Sequence, residues 1–369
     1  TMILGVVAAL LQGDAKRLLA YHSISQMGYI ILGLGVGLYL GPQGSLGLVG
    51  AIYHIVNHAL FKAALFLGVG VIYVGTKETN LYNLGGLWRS FPVTAILMFL
   101  AVLGITGAPG LNGYASKTIL HHAVSQAALT GSPLMIWAER LFLVVGVGTA
   151  ASFTKLYYLI FLGKPGRAKV SKGETWQFQI AMGLLAVAMV GIGLRPGLFS
   201  EAWAVPAAEA LGMGNAEVVL ADLAFWNSAD IMGMVITLGL GMAFCWAGFK
   251  TGLFHWHPPI YLTLEGLGGM AYKGLTSVSE AGGRLYSSLV AGILRHVRTR
   301  GSRLLEAGQK LDNSGGITVA GMSFSDISAN AGLLMASLIV LLLVYTYKDL
   351  GSHVRLPFPI GKWGGWPGR

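Results

Sequence analysis

The 369-residue chain is 54% hydrophobic and 11% charged, with a mean hydropathy of +0.65, and several of its apolar runs reach the roughly 20 residues that cross a hydrocarbon core. These values exclude a soluble domain, and the net charge of +10 is gathered in particular loops, which reads as membrane topology and not as nucleic-acid binding. A single cysteine, Cys245, excludes an intrachain disulfide and any multi-cysteine iron–sulfur or zinc site, so no cofactor is expected in this chain.

The expected fold is an all-α membrane protein with about eight transmembrane helices. The first run, about 1–13, starts at Thr1 already apolar, without a basic leader or a small-residue cleavage site; it reads as a clipped span and no signal peptide is expected. Spans follow at 15–40 and 46–74, then an interrupted one at 91–129, then 134–161, 176–194, 230–250 and 329–347. Alternation puts the turn at Asp14 to Arg17, the loop 75–90, the loop 162–175 and the segment after Lys250 on one side. That side collects Lys77, Arg89, Lys164, Arg167, Lys169 and Lys172 and is expected to be cytoplasmic. The other side receives 195–229 as an outer loop, with Glu201, Glu217 and Asp222 against Arg195.

Residues 260–312 are too charged to span yet helical in pattern. Leu285, Leu289, Ile293, Val297, Leu304 and Leu311 fall within about a third of the helix circumference, and Arg284, Arg295, Arg298 and Lys310 lie outside that stripe. The pattern reads as a long amphipathic helix on the cytoplasmic membrane surface, or as a solvated connector packed on its own bundle. Gly274, Gly283, Gly292 and Gly301 oppose it, each at about 1 kcal/mol relative to alanine.

Two features carry chemistry. In "YHIVNHALFKAALFLGVGVIY", residues 53–73, His54, His58 and Lys62 recur every four residues, a rotation of only about 40° per step, so they form one polar stripe. Lipid does not tolerate such a stripe; it must face the bundle interior or water, and aligned intramembrane ionisable residues are by default an ion or proton path. In "GITGAPGLNGYASKTILHH", residues 104–122, Gly107, Pro109, Gly110 and Gly113 interrupt an apolar stretch too long for one straight helix, and Lys117 follows one turn later. Broken backbone at membrane depth is tolerated where it lines a cavity or is buried in protein. Residues 106–113 are therefore expected to be non-helical, with the Lys117 nitrogen facing the Lys62 helix. Elsewhere Glu139 and Arg140 are expected to pair, Lys155 to snorkel, and His121 with His122 to face the outer exit or cap the half-helix.

At "GDAKRLLAYHSISQMGYIILGLGVG" (13–37), "YHIVNHALFKAALFLGVG" (53–70), "LGGLWRSFPVTA" (84–95) and "GAPGLNGYASK" (107–117) the chain resembles the antiporter-like proton-pumping subunits of respiratory complex I. It is equally similar to their relatives in energy-converting membrane hydrogenases and multisubunit cation/proton antiporters. The resemblance is close over 1–165 and beyond that rests on layout, with an amphipathic helix before the last span similar to a lateral helix. It implies that 1–165 is the second of two inverted five-helix repeats, 166–259 additional transmembrane helices and an outer loop, 260–328 the lateral-type helix, and 329–369 a final span and tail. It further implies a proton path at Lys16, His54, His58, Lys62 and Lys117, although "GDAKR" by itself is an ordinary cytoplasmic turn. The family's usual Pro-Pro before the break is Ala108-Pro109 here, and Tyr114 stands for a common Phe.

The counterpart of the first repeat is missing, which implies either a gene fragment or a split subunit; the implied partners are the lipid bilayer, other membrane subunits of a multisubunit complex and, for a split subunit, a separate chain supplying the first repeat, in a prokaryotic cytoplasmic membrane. Lysines taken out of water can exchange a proton near neutrality, and histidines do so already. Three readings follow: a proton-translocating subunit of a redox-driven complex whose redox centres lie in other chains, a redox-independent Na⁺/H⁺ antiporter subunit, or a non-pumping scaffold.

Overall fold

The computed structural model describes residues 1–212, 215–255 and 264–313. Among these residues the secondary structure is helical, without a β-strand. Four stretches are long and apolar enough to cross a membrane: Ala15–Thr76, Pro133–Leu162, Trp176–Leu194 and Ser228–Thr251. The expected count of eight is thus not reached here. The first run is a nine-residue helix, α1 (Met2–Leu10), the interrupted span is two half-helices, and 329–347 lies outside the described residues.

Ala15–Thr76 holds two helices, α2 (Ala15–Leu40) and α3 (Ser45–Thr76), of 26 and 32 residues, roughly 39 and 48 Å long. A 3₁₀ turn, Gly41–Gly44, folds one back on the other. Their contact is close because it is built on glycine: a Cβ on Gly47 would stand 2.6 Å from the Gly33 carbonyl oxygen. Small residues at a crossing let helix backbones approach where apolar burial alone gives no drive. The pairing is antiparallel, with Gly33 beside Gly47, His54 bonded to Gln26 and Lys62 bonded to Leu19.

Helix α4 (Pro92–Thr106) ends where the sequence breaks, and α5 begins at Asn112 and runs to Ala128. The non-helical stretch is 107–111, narrower than the expected 106–113. Gly107 adopts φ +88°, a left-handed conformation open to glycine, and the N–H groups of Gly107 and Ala108 bond back to the Gly104 and Leu103 carbonyls, a Schellman stop. Gly113 then lets the first turn of α5 abut α4, since a Cβ there would lie 1.8 Å from the Gly104 oxygen. A reciprocal amide pair fixes the restart to α3: Asn57 Nδ2 donates to the Asn112 carbonyl (2.9 Å) and Asn112 Nδ2 to the Asn57 carbonyl (3.2 Å).

The remaining long helices are α6 (Pro133–Tyr157), extended by a π-helical turn Tyr158–Leu162, and α7 (Trp176–Leu194). The basic loops meet at one end of the bundle. Ala15 N–H bonds to Thr79 O, Ala168 N–H to Asn83 O and Ser171 N–H to Gly75 O, and the Glu174 carboxylate accepts the Thr94 N–H in the first turn of α4. At the opposite end the expected outer loop 195–229 is mostly helical: α8 (Pro196–Phe199), a π turn Ser200–Ala204, α9 (Val205–Ala210) and α10 (Ala216–Ala221). It packs on the bundle through Ala204, Val205 and Leu220, and Tyr53 and Tyr114 donate to the Pro196 and Phe225 carbonyls. Helix α11 (Ser228–Thr251) completes this unit.

A second unit begins at Leu267. Its described part is the body of α12 (Leu264–Asn313), a 50-residue helix that contains nine glycines and continues through Gly274, Gly283, Gly292 and Gly301. Leu285, Leu289 and Ile293 are exposed on it.

Candidate functional site

The stripe on α3 faces inward. His54, His58 and Lys62 are 0%, 7% and 6% exposed, and each is held differently. Lys62 Nζ donates to the Leu19 carbonyl and lies 5.7 and 5.9 Å from the Phe66 and Phe153 rings. His58 stacks on Phe61, with centroids 5.6 Å apart, and its Nδ1 has no hydrogen-bond partner among the described residues. His54 bridges two other helices: Nδ1 is 2.9 Å from Ser116 Oγ on α5, and Nε2 is 3.1 Å from Gln26 Oε1 on α2. Which nitrogen carries the hydrogen depends on the tautomer.

Lys117, next to Ser116, is buried and turns into the break. Its Nζ donates to the carbonyls of Ile105 (2.8 Å) and Thr106 (3.3 Å). These belong to the last turn of α4, where carbonyls lack helical partners and the helix dipole is negative. The nitrogen also lies 5.5 Å from the centre of the Tyr29 ring. It is therefore seated on the C-terminus of α4, and neighbouring Ser116 bonds His54 of the α3 stripe.

His22 was not singled out by the sequence, and it belongs to the same interior. It is fully buried, both ring nitrogens lack a hydrogen-bond partner among the described residues, and its ring lies 4.5 Å from Phe153, the ring also near Lys62. On α2 it stands between Leu19, bonded to Lys62, and Gln26, bonded to His54. The antiparallel register thus sets it level with His58. Gln26 Nε2 is also unpartnered among the described residues. Buried polar groups without protein partners are rare and need an explanation. A run of them between two buried lysines is what a chain of proton relays requires.

Other residues fall elsewhere. Lys16 is exposed at the basic end, its Nζ 4.0 Å from the centre of the Tyr73 ring, and the structure does not bring it into the buried line. Lys155 does not snorkel. It is fully buried and donates to the carbonyls of Leu10 (2.7 Å) and Gln12 (2.8 Å) just past α1. Glu139 takes Ser125 and stands 4.0 Å from His121 instead of pairing with Arg140, and Arg140 lies over Trp137. Among the described residues none of the three buried lysines is paired with a carboxylate.

Residues 1–140 match the transmembrane family described as NADH:quinone oxidoreductase/Mrp antiporter. An uncharacterized protein of Methanocaldococcus jannaschii is 40% identical over 161 residues, 44% of this chain and 31% of its own length. A putative antiporter subunit mnhA2 of Staphylococcus saprophyticus is 34% identical over 265 residues, 66% of this chain and 33% of its own. Formate hydrogenlyase subunit 3 of Escherichia coli is 32% identical over 206 residues, 53% and 33% respectively. The chain thus spans about a third of the length of these curated relatives.

Proposed function

We propose that this chain, residues 1–140 of which match the transmembrane family described as NADH:quinone oxidoreductase/Mrp antiporter, translocates protons across a membrane as a subunit of a redox-driven complex. The observation that carries this reading is His54. One of its ring nitrogens meets Gln26 and the other meets Ser116, so a single imidazole joins the Lys62 side of the bundle to the Lys117 side. An imidazole can accept a proton at one nitrogen and release one from the other.

The line then runs from Lys62 past His58 and His22 to His54, Ser116 and Lys117. Carbonyl oxygens and aromatic faces stand in for the water each ammonium gives up. With no carboxylate beside them among the described residues, neighbouring positive charges repel across a medium that screens poorly. Charging one lysine thus disfavours charge on the next, and a push at the Lys62 end drives a proton towards Lys117. The redox chemistry that supplies the push resides in partner subunits. The long α12 favours this assembly, since it resembles a lateral helix. Bacterial and archaeal relatives favour a prokaryotic cytoplasmic membrane.

The test is Lys62→Ala in the intact complex, assayed in sealed vesicles: insertion is retained and translocation falls at least tenfold. Translocation at the wild-type rate overturns the reading. A second reading, redox-independent Na⁺/H⁺ exchange, is favoured by the similarity to the putative antiporter subunit over 66% of this chain. It is distinguished by driving force: exchange energised by a sodium gradient alone, in vesicles without an electron donor, decides for it.

A further inference from the structure

Beyond Lys117 lies a cavity of about 70 Å³ between α5, α6 and α11, room for several water molecules. Lys117 and Tyr29 bound it on the buried side; His121, Asp230, Gly233 and Thr237 bound it further out. Lys117 and His121 are one helical turn apart on one face of α5. Lys117 is 2% exposed as a residue, and the side chains of His121 and Asp230 are 30% and 13% exposed, so the cavity leads from the interior towards the surface.

At its outer wall the Asp230 carboxylate holds His122, with Nε2 2.8 Å from Oδ2. His122 also lines a separate cleft of about 300 Å³ with Gln126, Asp222 and Leu46. That cleft lies at the end opposite the basic loops, where α3 starts and α10 packs. The His122–Asp230 pair is thus the wall between an inner cavity that touches Lys117 and an outer cleft that carries its own carboxylate. This contrasts with the lysine line, whose amines meet carbonyls and rings. Asp230, Gly233 and Thr237 come from α11, outside residues 1–140.

We propose that this cavity is the outlet for the proton released at Lys117, with Asp230 and His122 as the group that receives it and passes it to the cleft. The inference rests on the proton-translocation reading for its cargo, and on the cavity alone for its geometry. The step is a proton transfer only. A proton leaves Lys117 Nζ through cavity water and protonates Asp230 at Oδ1, since His122 Nε2 carries the hydrogen shared with Oδ2, and the pair then releases one proton to cleft water on the Asp222 side. No electron moves.

The experiment uses the whole complex in oriented vesicles with Cys245→Ser as background. Gly233→Cys adds a thiol at the cavity wall, where a Cβ meets nothing within 4 Å. A charged, membrane-impermeant methanethiosulfonate is applied to either face. The expected result is modification from the face opposite the basic loops, with translocation reduced at least fivefold once modified. No modification from that face, or modification without loss of translocation, overturns the outlet. In parallel Asp230→Asn is expected to slow translocation about tenfold, with recovery in Asp230→Glu; a wild-type rate in Asp230→Asn also overturns it. The thiol's accessibility is read without any pumping, so failure of the cavity is distinguishable from failure of the lysine line, which Lys62→Ala tests.

Discussion

Lys62 and Lys155 sit in regions that look alike and differ in the side chains around the amine. Both amines are buried, both donate to main-chain carbonyls, and both lie near aromatic rings. Around Lys62 stand two histidines and a glutamine with unpartnered nitrogens. Lys155 instead ties off the end of α1, amid a loop network that joins Asp14 to Thr79 and Tyr82 to Phe254. A buried lysine is thus not in itself a transport site. What distinguishes the two is whether the neighbours can take the next proton, and that difference can be broken experimentally.

The largest effect expected is on translocation. Lys62→Ala abolishes most of it, at least tenfold, with little loss of assembly. Lys155→Met leaves the Leu10 and Gln12 carbonyls without their donor, at a cost of about 1–3 kcal/mol. It is expected to keep translocation within about twofold while lowering the thermal midpoint of the complex. Proton uptake in vesicles and a melt of the same preparations check both; equal translocation losses in the two variants erase the distinction.

Next in size is His22. If it is a relay level with His58, His22→Leu slows translocation several-fold and His22→Gln, which keeps polarity but cannot carry a proton at neutral pH, slows it equally. Recovery in the Gln variant assigns His22 a hydrogen-bonding role in packing. Measured rates in vesicles separate the two outcomes.

His22 also marks how far the sequence could be read. The 54/58/62 stripe is legible because its members repeat on one helix, and the break is legible because glycine and proline cluster within seven residues. His22 has no ionisable partner at helical spacing on α2. Its meaning comes from the register of α2 against α3, which Gly33 and Gly47 set by contact. The bond between His122 and Asp230 spans 108 residues and has no local signature. Lys155 lies near the end of its helix, where snorkelling is the ordinary expectation; the end of α1 offers carbonyls that only the folded bundle brings to it. The short helices of 196–221 are below membrane length and lack strong caps, so they merge into a loop when read by hydropathy. Helix α12 persists through nine glycines because a penalty of about 1 kcal/mol each is spread over 50 residues.

A smaller effect is expected at the joint between α3 and α5. Asn57 and Asn112 each donate to the other's backbone, so Asn57→Ala and Asn112→Ala each remove a buried hydrogen bond between the two helices, at about 0.5–1.5 kcal/mol. Because they act on one contact, the double variant should cost less than the sum, with a coupling of at least about 0.5 kcal/mol. Additive losses in a double-variant melting cycle dissolve the clamp and free the Lys117 half-helix from α3.

The smallest effect lies in the static region around Lys155. In the loop 77–83, burial pushes the Glu78 carboxyl up, but hydrogen bonds from the Asn80 N–H, the Asn83 amide and the Thr79 N–H outweigh it and hold the group below its usual range. A carboxylate whose folded value is depressed contributes stability above its unfolded value and loses it as the pH falls through the folded one. The loop should therefore be tight at neutral pH and open in the acidic range below the ordinary glutamate value near 4.3. Hydrogen exchange, with rates corrected for their intrinsic pH dependence, is expected to show reduced protection at Thr79 and Asn80 on acidification. In Glu78→Gln that step disappears and protection stays low at both pH values. If acid leaves the wild-type loop unchanged, Glu78 is only a surface acceptor, and the rigidity of this end rests on the Lys155 carbonyl contacts alone.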